Sequence, residues 1–169
     1  MKDTHTRLVE LLEVNEAEFR ILEHELEGRS VEISRIRGNH PSQAMKAIVS
    51  SVRGGGGGKR FILAVVPGSQ RLNMRALCAA VGAQKGSFAS TDKATELTGC
   101  VMGAVPPFAF HDDLTLVVDN RCRNNEEVVF NAGRLDRSIF MRFQDYQRIS
   151  GAIFSDIVEA DEDDTGEPS

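Results

Sequence analysis

Long apolar runs are missing from this 169-residue sequence; none approaches the ~18 residues needed to cross a bilayer. The opening stretch, MKDTHTRLVELLEVNEAEF, scatters acids among its apolar positions, so it reads as neither a secretory signal nor an anchor. The expected location is the cytoplasm. Cysteine is scarce as well. Cys78, Cys100 and Cys122 lie far apart, an odd number with no C-x-x-C pair. Structural zinc needs closely spaced ligand pairs and a secreted scaffold needs an even count, so these read as plain core or surface thiols. The four histidines, His5, His24, His40 and His111, show no H-x-x-x-H spacing, and no G-x-S-x-G elbow is present. The run Gly54–Gly58 lacks the G-K-[ST] ending that opens a helix in a phosphate loop, so a flexible hairpin tip is expected there. No internal repeat occurs.

Acids are missing from one long stretch. The chain carries a net charge of −5, yet Ile33 to Thr91 holds no Asp or Glu and nine bases in 59 residues. These are Arg35, Arg37, Lys46, Arg53, Lys59, Arg60, Arg71, Arg75 and Lys85. Six acids and no base follow from Glu159 onward, so the negative total hides a basic body. Such a segment either faces a polyanion or simply presents its bases to solvent.

Hydrophobic periodicity supplies the elements. Residues 4–15 place Leu8, Leu11 and Leu12 on one helical face, and Phe19–Leu22 reads as a short strand. Ser30 is the expected N-cap of a helix closed by Gly38. Ala44–Val52 is an expected strand, with Lys46, Ile48, Ser50 and Val52 on one face and Met45, Ala47 and Val49 on the other. A second strand spans Arg60–Val66. Asn73 caps a helix to Val81, Lys85–Ala89 is a strand, and Thr91 opens a helix that Gly99 ends. Strands are expected at Leu114–Val118, Glu127–Phe130 and Arg137–Arg142, the last two joined by an Asn131–Gly133 turn, followed by a helix over Asp145–Ser150. This pattern predicts an α/β fold: a mixed, curled, barrel-like sheet of about six or seven strands with surrounding helices. One domain is expected over residues 1–155, with residues 156–169 forming an acidic disordered tail.

Two features stand out chemically. Lys46 interrupts an apolar strand, where an ammonium needs water or an anion; it either serves a ligand or guards an edge strand against aggregation. Gly103-Ala104-Val105-Pro106-Pro107 combines a glycine that lets backbone approach a ligand with prolines that fix neighbouring directions; it is either a ligand loop or a purely structural one. Composition and spacing alone leave the reaction open.

The segments A-M-K-A-I-V, F-I-L-A-V-V with R-L-N after it, T-G-C-V-M-G-A-V-P-P-F and F-N-A-G occur here in order. Together they resemble the YbaK / prolyl-tRNA-synthetase-associated editing family over roughly Thr6 to Ile149, closest to its stand-alone, YeaK-like branch. The resemblance implies a trans-acting deacylase that hydrolyses the ester of mischarged tRNA carrying small or hydroxylated amino acids such as Ala, Ser or Thr. It implies Lys46, Gly103 and Pro107 as catalytic residues. Ser30, Ala104, His111 and Asn131 become the expected substrate contacts, and no metal or cofactor is required. The terminal ribose hydroxyl would position the attacking water. Arg53, Lys59 and Arg60, around the glycine tip, are the expected tRNA contacts. The implied partners are mischarged tRNA and an aminoacyl-tRNA synthetase, with no membrane and no DNA. A non-catalytic tRNA- or RNA-binding module of the same fold, and a domain that kept the fold and lost the activity, are the alternatives.

Overall fold

The computed structural model describes residues 2–160, the side chains of Ser30 and Val31 excepted. Eight strands form two sheets among these residues, with five α-helices around them. Helix α1 (Thr4–Val14) starts where the Asp3 carboxylate accepts the Thr6 N–H at 2.8 Å. Strand β1 (Phe19–Glu23) follows, then α2 (Ser30–Arg37), β2 (Met45–Arg53) and β3 (Arg60–Pro67). Next come α3 (Met74–Val81), β4 (Lys85–Phe88), α4 (Thr91–Thr98) and β5 (Leu114–Asp119). The chain closes with β6 (Glu127–Arg134), β7 (Arg137–Arg142), α5 (Phe143–Ser150) and β8 (Ile153–Ser155).

The larger sheet runs β4-β2-β3-β5-β8, and the smaller runs β1-β7-β6. Every residue of β3 from Leu63 to Pro67 is buried, because both faces of the large sheet are covered. On one face, Met45, Val49, Leu63 and Val65 pack against Phe130, Ile139 and Met141 of the small sheet and Leu8 and Leu12 of α1. On the other, Val52, Ile62, Ala64 and Val66 pack against Leu77 and Cys78 of α3. The alternation expected along β2 holds, since Met45, Ala47 and Val49 meet the first core while Ile48 and Val52 meet the second.

The mixed α/β class stands, but the curled barrel does not form. The sheets pack face to face without closing, and an isolated parallel bridge, Ala44 to Val129, joins their backbones. The strand total exceeds the expected six or seven because the three-residue β8, pairing in parallel with β5 from Val117 to Asp119, is too short for a sequence pattern. The glycine tip packs rather than floats: Gly55 lies against the Gly82 carbonyl, and the Gln84 N–H donates to Arg53 O at 2.9 Å. Ser30 is the first helical residue rather than the cap; Arg29 occupies the cap position. Its backbone N–H, like that of Gly28, is taken by the Glu27 carboxylate at 2.9 and 3.0 Å. The expected turn at Asn131–Gly133 lies inside β6, which bulges there and turns only after Arg134.

The docked chain also runs past Ser155. Ile157 is fully buried in the second core; its N–H donates to Asp119 Oδ1 at 2.8 Å and its carbonyl accepts from Asn73 N at 2.7 Å. Glu159 N reaches Arg71 O at 2.8 Å. The acidic residues from 161 lie outside the described residues. Removing the Ile157 side chain therefore empties a packed site: Ile157→Ala should lower stability by about 2–5 kcal/mol in urea titration. Shortening the chain after Ala160 should leave the midpoint unchanged.

Candidate active site

Strand β4 pairs with β2 only from Ser50 to Arg53, and Ala89 N reaches Val49 O just beyond it, so Met45–Ile48 has β3 on one side and an edge that no strand covers on the other. A cavity of about 50 Å³ lies along that edge. An edge presents consecutive residues rather than alternate ones, and Ala44 to Ala47 all line it. Gly28, just before α2, and Gly103 close it opposite β2, and Arg37, Val105 and Asn131 complete the wall.

Two backbones meet at that wall. Gly103 has φ +89°, and a Cβ built there would stand 2.9 Å from Gly28 Cα. A Cβ on Gly28 would stand 2.9 Å from Leu135 Cδ2. Asn131 holds the pair: its side-chain N–H₂ donates to Gly103 O at 2.6 Å and reaches Glu27 O at 3.5 Å. The bulge in β6 serves the same loop, because Gly133 N donates to Ala104 O at 2.9 Å. Ala104 N donates to Val101 O at 3.1 Å and Ala104 is fully buried, so it anchors the loop and offers no free N–H. Among the described residues, the N–H groups of Gly103 and Val105 have no protein partner. Pro107 does not line the cavity. Its carbonyl accepts from the buried Tyr146 hydroxyl at 2.7 Å, and the Phe108 ring beside it packs edge-on to Tyr146 and Phe130. Pro107 thus pins the loop from behind.

Lys46 lines the cavity and is half-buried. Its Nζ donates to Gln70 O at 3.1 Å, which uses one of three donor positions. Burial, and secondarily the nearby Arg71 cation, lower its pKa from the ordinary lysine value. The second cation is Arg37, whose pKa burial pulls down to about 10. Nothing in the sequence marks this residue, since an arginine in a last helical turn is ordinary dipole-complementing chemistry. Gly28 escapes sequence reasoning for a related reason: only tertiary contact brings it to the wall, beside Val105 of the expected loop.

Other expected contacts fall elsewhere. His111 is exposed beyond the cavity, its Nδ1 accepting from Asp113 N at 3.0 Å. The Ser30 side chain lies outside the described atoms. Arg53 and Lys59 line a separate polar cleft of about 410 Å³ near the hairpin tip. Lys85, which its place in the sequence does not single out as a tRNA contact, joins them directly across from Arg53 in the β2–β4 pairing. Arg60 points to the opposite face of the hairpin, its Nε buried without a partner near Gly57. An apolar groove of about 270 Å³ adjoins the cavity; the two share Ala47, Gly103 and Val105, and the groove adds the exposed Phe88 and Met102.

A methyl group at Gly103 must both accept a left-handed backbone, costing about 1–2 kcal/mol, and push Gly28 away. Gly103→Ala should therefore lower the thermal midpoint and cut turnover more than tenfold, while Ala109→Gly on the exposed far side of the loop should leave turnover near wild type.

A profile of the aminoacyl-tRNA editing domain family matches residues 24–149. The Multifunctional Ser/Thr-tRNA deacylase ProXp-y of Escherichia coli K12 is 40% identical over 148 residues, covering 87% of this chain and 88% of the relative. Among solved structures, a hypothetical protein superposes with a TM-score of 0.81 at 23% identity, covering 90% of this chain and 99% of its own. A proposed trans-editing enzyme for prolyl tRNA synthetase superposes at 0.78 and 22% identity, covering 95% and 99%. These two share the fold. With its glycine-closed cavity and its lysine on an open strand edge, this chain belongs to the aminoacyl-tRNA editing domain family.

Proposed function

We propose that this protein is a trans-acting deacylase that hydrolyses the ester between a small or hydroxylated amino acid and the 3′ end of a mischarged tRNA. The observation that supports the reading is the cavity itself, lined by the half-buried Lys46 and by Gly103 and Val105, whose backbone N–H groups have no partner among the described residues. The ester is already activated, so no covalent intermediate is needed. Water attacks the carbonyl carbon, the carbonyl oxygen becomes an oxyanion, and collapse expels the ribose oxygen, which takes up the proton that the attacking water gives up. The Gly103 and Val105 N–H groups are the donors for that oxyanion, fixed in advance by Asn131, Gly133 and Tyr146. The two unspent Nζ positions of Lys46 hold the substrate's terminal nucleotide or backbone. A ribose hydroxyl positions the water; the described side chains at the wall include no carboxylate or imidazole. The adjoining apolar groove takes the terminal adenosine, with Phe88 as a stacking face.

The basic cleft fits the nucleic acid beyond the ester. Arg53, Lys59 and Lys85 have no carboxylate partner among the described residues, and Arg53 and Lys85 face each other as like charges across strands. Six residues of β2 separate Ala47 from Arg53, so cleft and cavity lie roughly 20 Å apart along one strand. A cytoplasmic setting, where charged tRNA and a synthetase partner occur, goes with this reading. The same cleft would also serve an RNA-binding module without catalysis, and hydrolysis separates the two.

The first test is a panel of mischarged tRNAs offered to the wild-type protein; turnover of at least one separates a deacylase from a binding module. Lys46→Ala should lower deacylation at least ~100-fold with the fold intact, the typical loss for one preorganised charge contact. The alkaline side of the pH profile, corrected for spontaneous ester hydrolysis, should also report Lys46. Its lowered pKa means that its charge is lost below the pH at which an ordinary lysine titrates, so the rate should fall there. Lys46→Arg, which keeps its charge, should push that fall to higher pH.

Combined replacement of Arg53, Lys59 and Lys85 by Ala should raise KM for charged tRNA. It should also flatten the log-linear salt dependence, by about one unit of slope for each phosphate no longer neutralised. Hydrolysis of a minimal aminoacyl-adenosine ester should not change. An unaltered salt slope would place the tRNA surface elsewhere.

A further inference from the structure

Among the described residues, Arg37 is a cation without an acid partner. Its Nε donates to Asn39 Oδ1 at 3.1 Å and one Nη donates to Ser138 Oγ at 3.2 Å, both neutral acceptors. The second Nη has no partner among the described residues, and the residue lines the cavity. Ser138 is fully buried; its hydroxyl also meets His24 Nε2 at 2.8 Å and donates to Asn131 Oδ1 at 3.1 Å. The guanidinium therefore cannot swing freely. It is held on two sides, by Asn39 and by the buried Ser138, and the residue lines a small space.

Leaving a guanidinium half-buried without a carboxylate costs free energy unless a ligand acceptor meets it. The acceptors on a short aminoacyl ester are few. The carbonyl oxygen has the Gly103 and Val105 N–H groups, and the nucleotide has Lys46, the groove and the basic cleft. The acceptor left over is a side-chain hydroxyl. At about 10–15 Å³ per water-sized group, a cavity of about 50 Å³ takes roughly three to five such groups. A serine or threonine side chain is of a size to enter that space.

Building on the deacylase reading, we infer that Arg37 is the specificity-determining residue of the cavity, and that its free Nη donates to the side-chain hydroxyl of a seryl or threonyl substrate. Alanine offers nothing to this donor, so alanyl esters are poorer substrates. The physical basis is asymmetric. A site that hydrogen-bonds a hydroxyl leaves a buried charge unpaired when an isostere lacks it, a far larger penalty than a missing methylene.

The test compares esters matched in shape. Seryl-adenosine is set against 2-aminobutyryl-adenosine, and threonyl-adenosine against valyl-adenosine, each pair differing by a hydroxyl in place of a methyl. Wild-type kcat/KM should favour the hydroxylated member at least ~100-fold. Arg37→Met should bring each pair to within about tenfold, almost entirely by loss on the seryl and threonyl esters. Arg37→Lys, with a single mobile donor head, should fall between. Equal losses on both members of a pair would assign Arg37 to the ester carbonyl or the fold and overturn the inference. So would a wild-type ratio near unity, which requires no variant and holds even if Arg37→Met does not fold. Failure of the wild type to hydrolyse any of the four esters or any mischarged tRNA would instead remove the deacylase reading itself.

Discussion

Everything in the site hangs on the contact between Gly28 and Gly103, two backbones close enough that neither position admits a Cβ without displacement. That contact joins the entrance of α2 to the loop after α4, segments 75 residues apart in the chain. It is clamped by one side chain, Asn131, whose amide bonds the Gly103 carbonyl and reaches that of Glu27. Asn131 is buried on β6 directly opposite Ser138 of β7, so the small sheet sets the position of a loop that belongs to neither sheet. The bulge beyond it sends the Gly133 N–H to Ala104 instead of into the ladder. A break in strand pairing is thus the means by which the sheet holds the loop, and with it the free N–H groups of Gly103 and Val105.

Charge follows the same division between structure and site. Several acids pair locally with bases, as in Glu27 with Arg29, Glu32 with Arg35 and Asp136 with Arg134. These exposed pairs stabilise little. Among the described residues, the cations of the cavity and the cleft have no such partner, and the stretch that supplies them contains no acid. In Arg37 and Lys46 the consequence is visible as lowered pKa values, with desolvation as the leading cause in each. A protein whose net charge is negative keeps its uncompensated positive charge where an ester of a polyanion would lie.

Strand β2 connects the two regions. Its first half is unpaired on one edge and faces the cavity; its second half is enclosed by β3 and β4 and carries Arg53 to the cleft. Because one strand spans both, the spacing between the basic cleft and the cavity is fixed by strand geometry rather than by loops. The hairpin tip contributes to that fixed spacing by packing Gly55 on the turn after α3.

The sequence by itself determined the order and type of most elements, because apolar periodicity, capping residues and glycine stops act locally; α1, β2, β3, α3 and α4 follow from them closely. It also marked Lys46, which breaks the apolar pattern of its strand, and the Gly103 loop, whose glycine and paired prolines fit a ligand loop or a structural one. Tertiary structure alone decided the rest. Two sheets rather than one curled sheet result from how strands pair over long separations, which periodicity does not encode. Ile157 joins the core because Asp119, Asn73 and α3 offer a site, although its neighbours look like the start of a solvated tail. Arg37 and Lys85 read as ordinary surface bases until packing removes their solvent or sets them opposite another cation. Pro107 and His111 show the converse: conspicuous residues that packing places behind the cavity and beyond it.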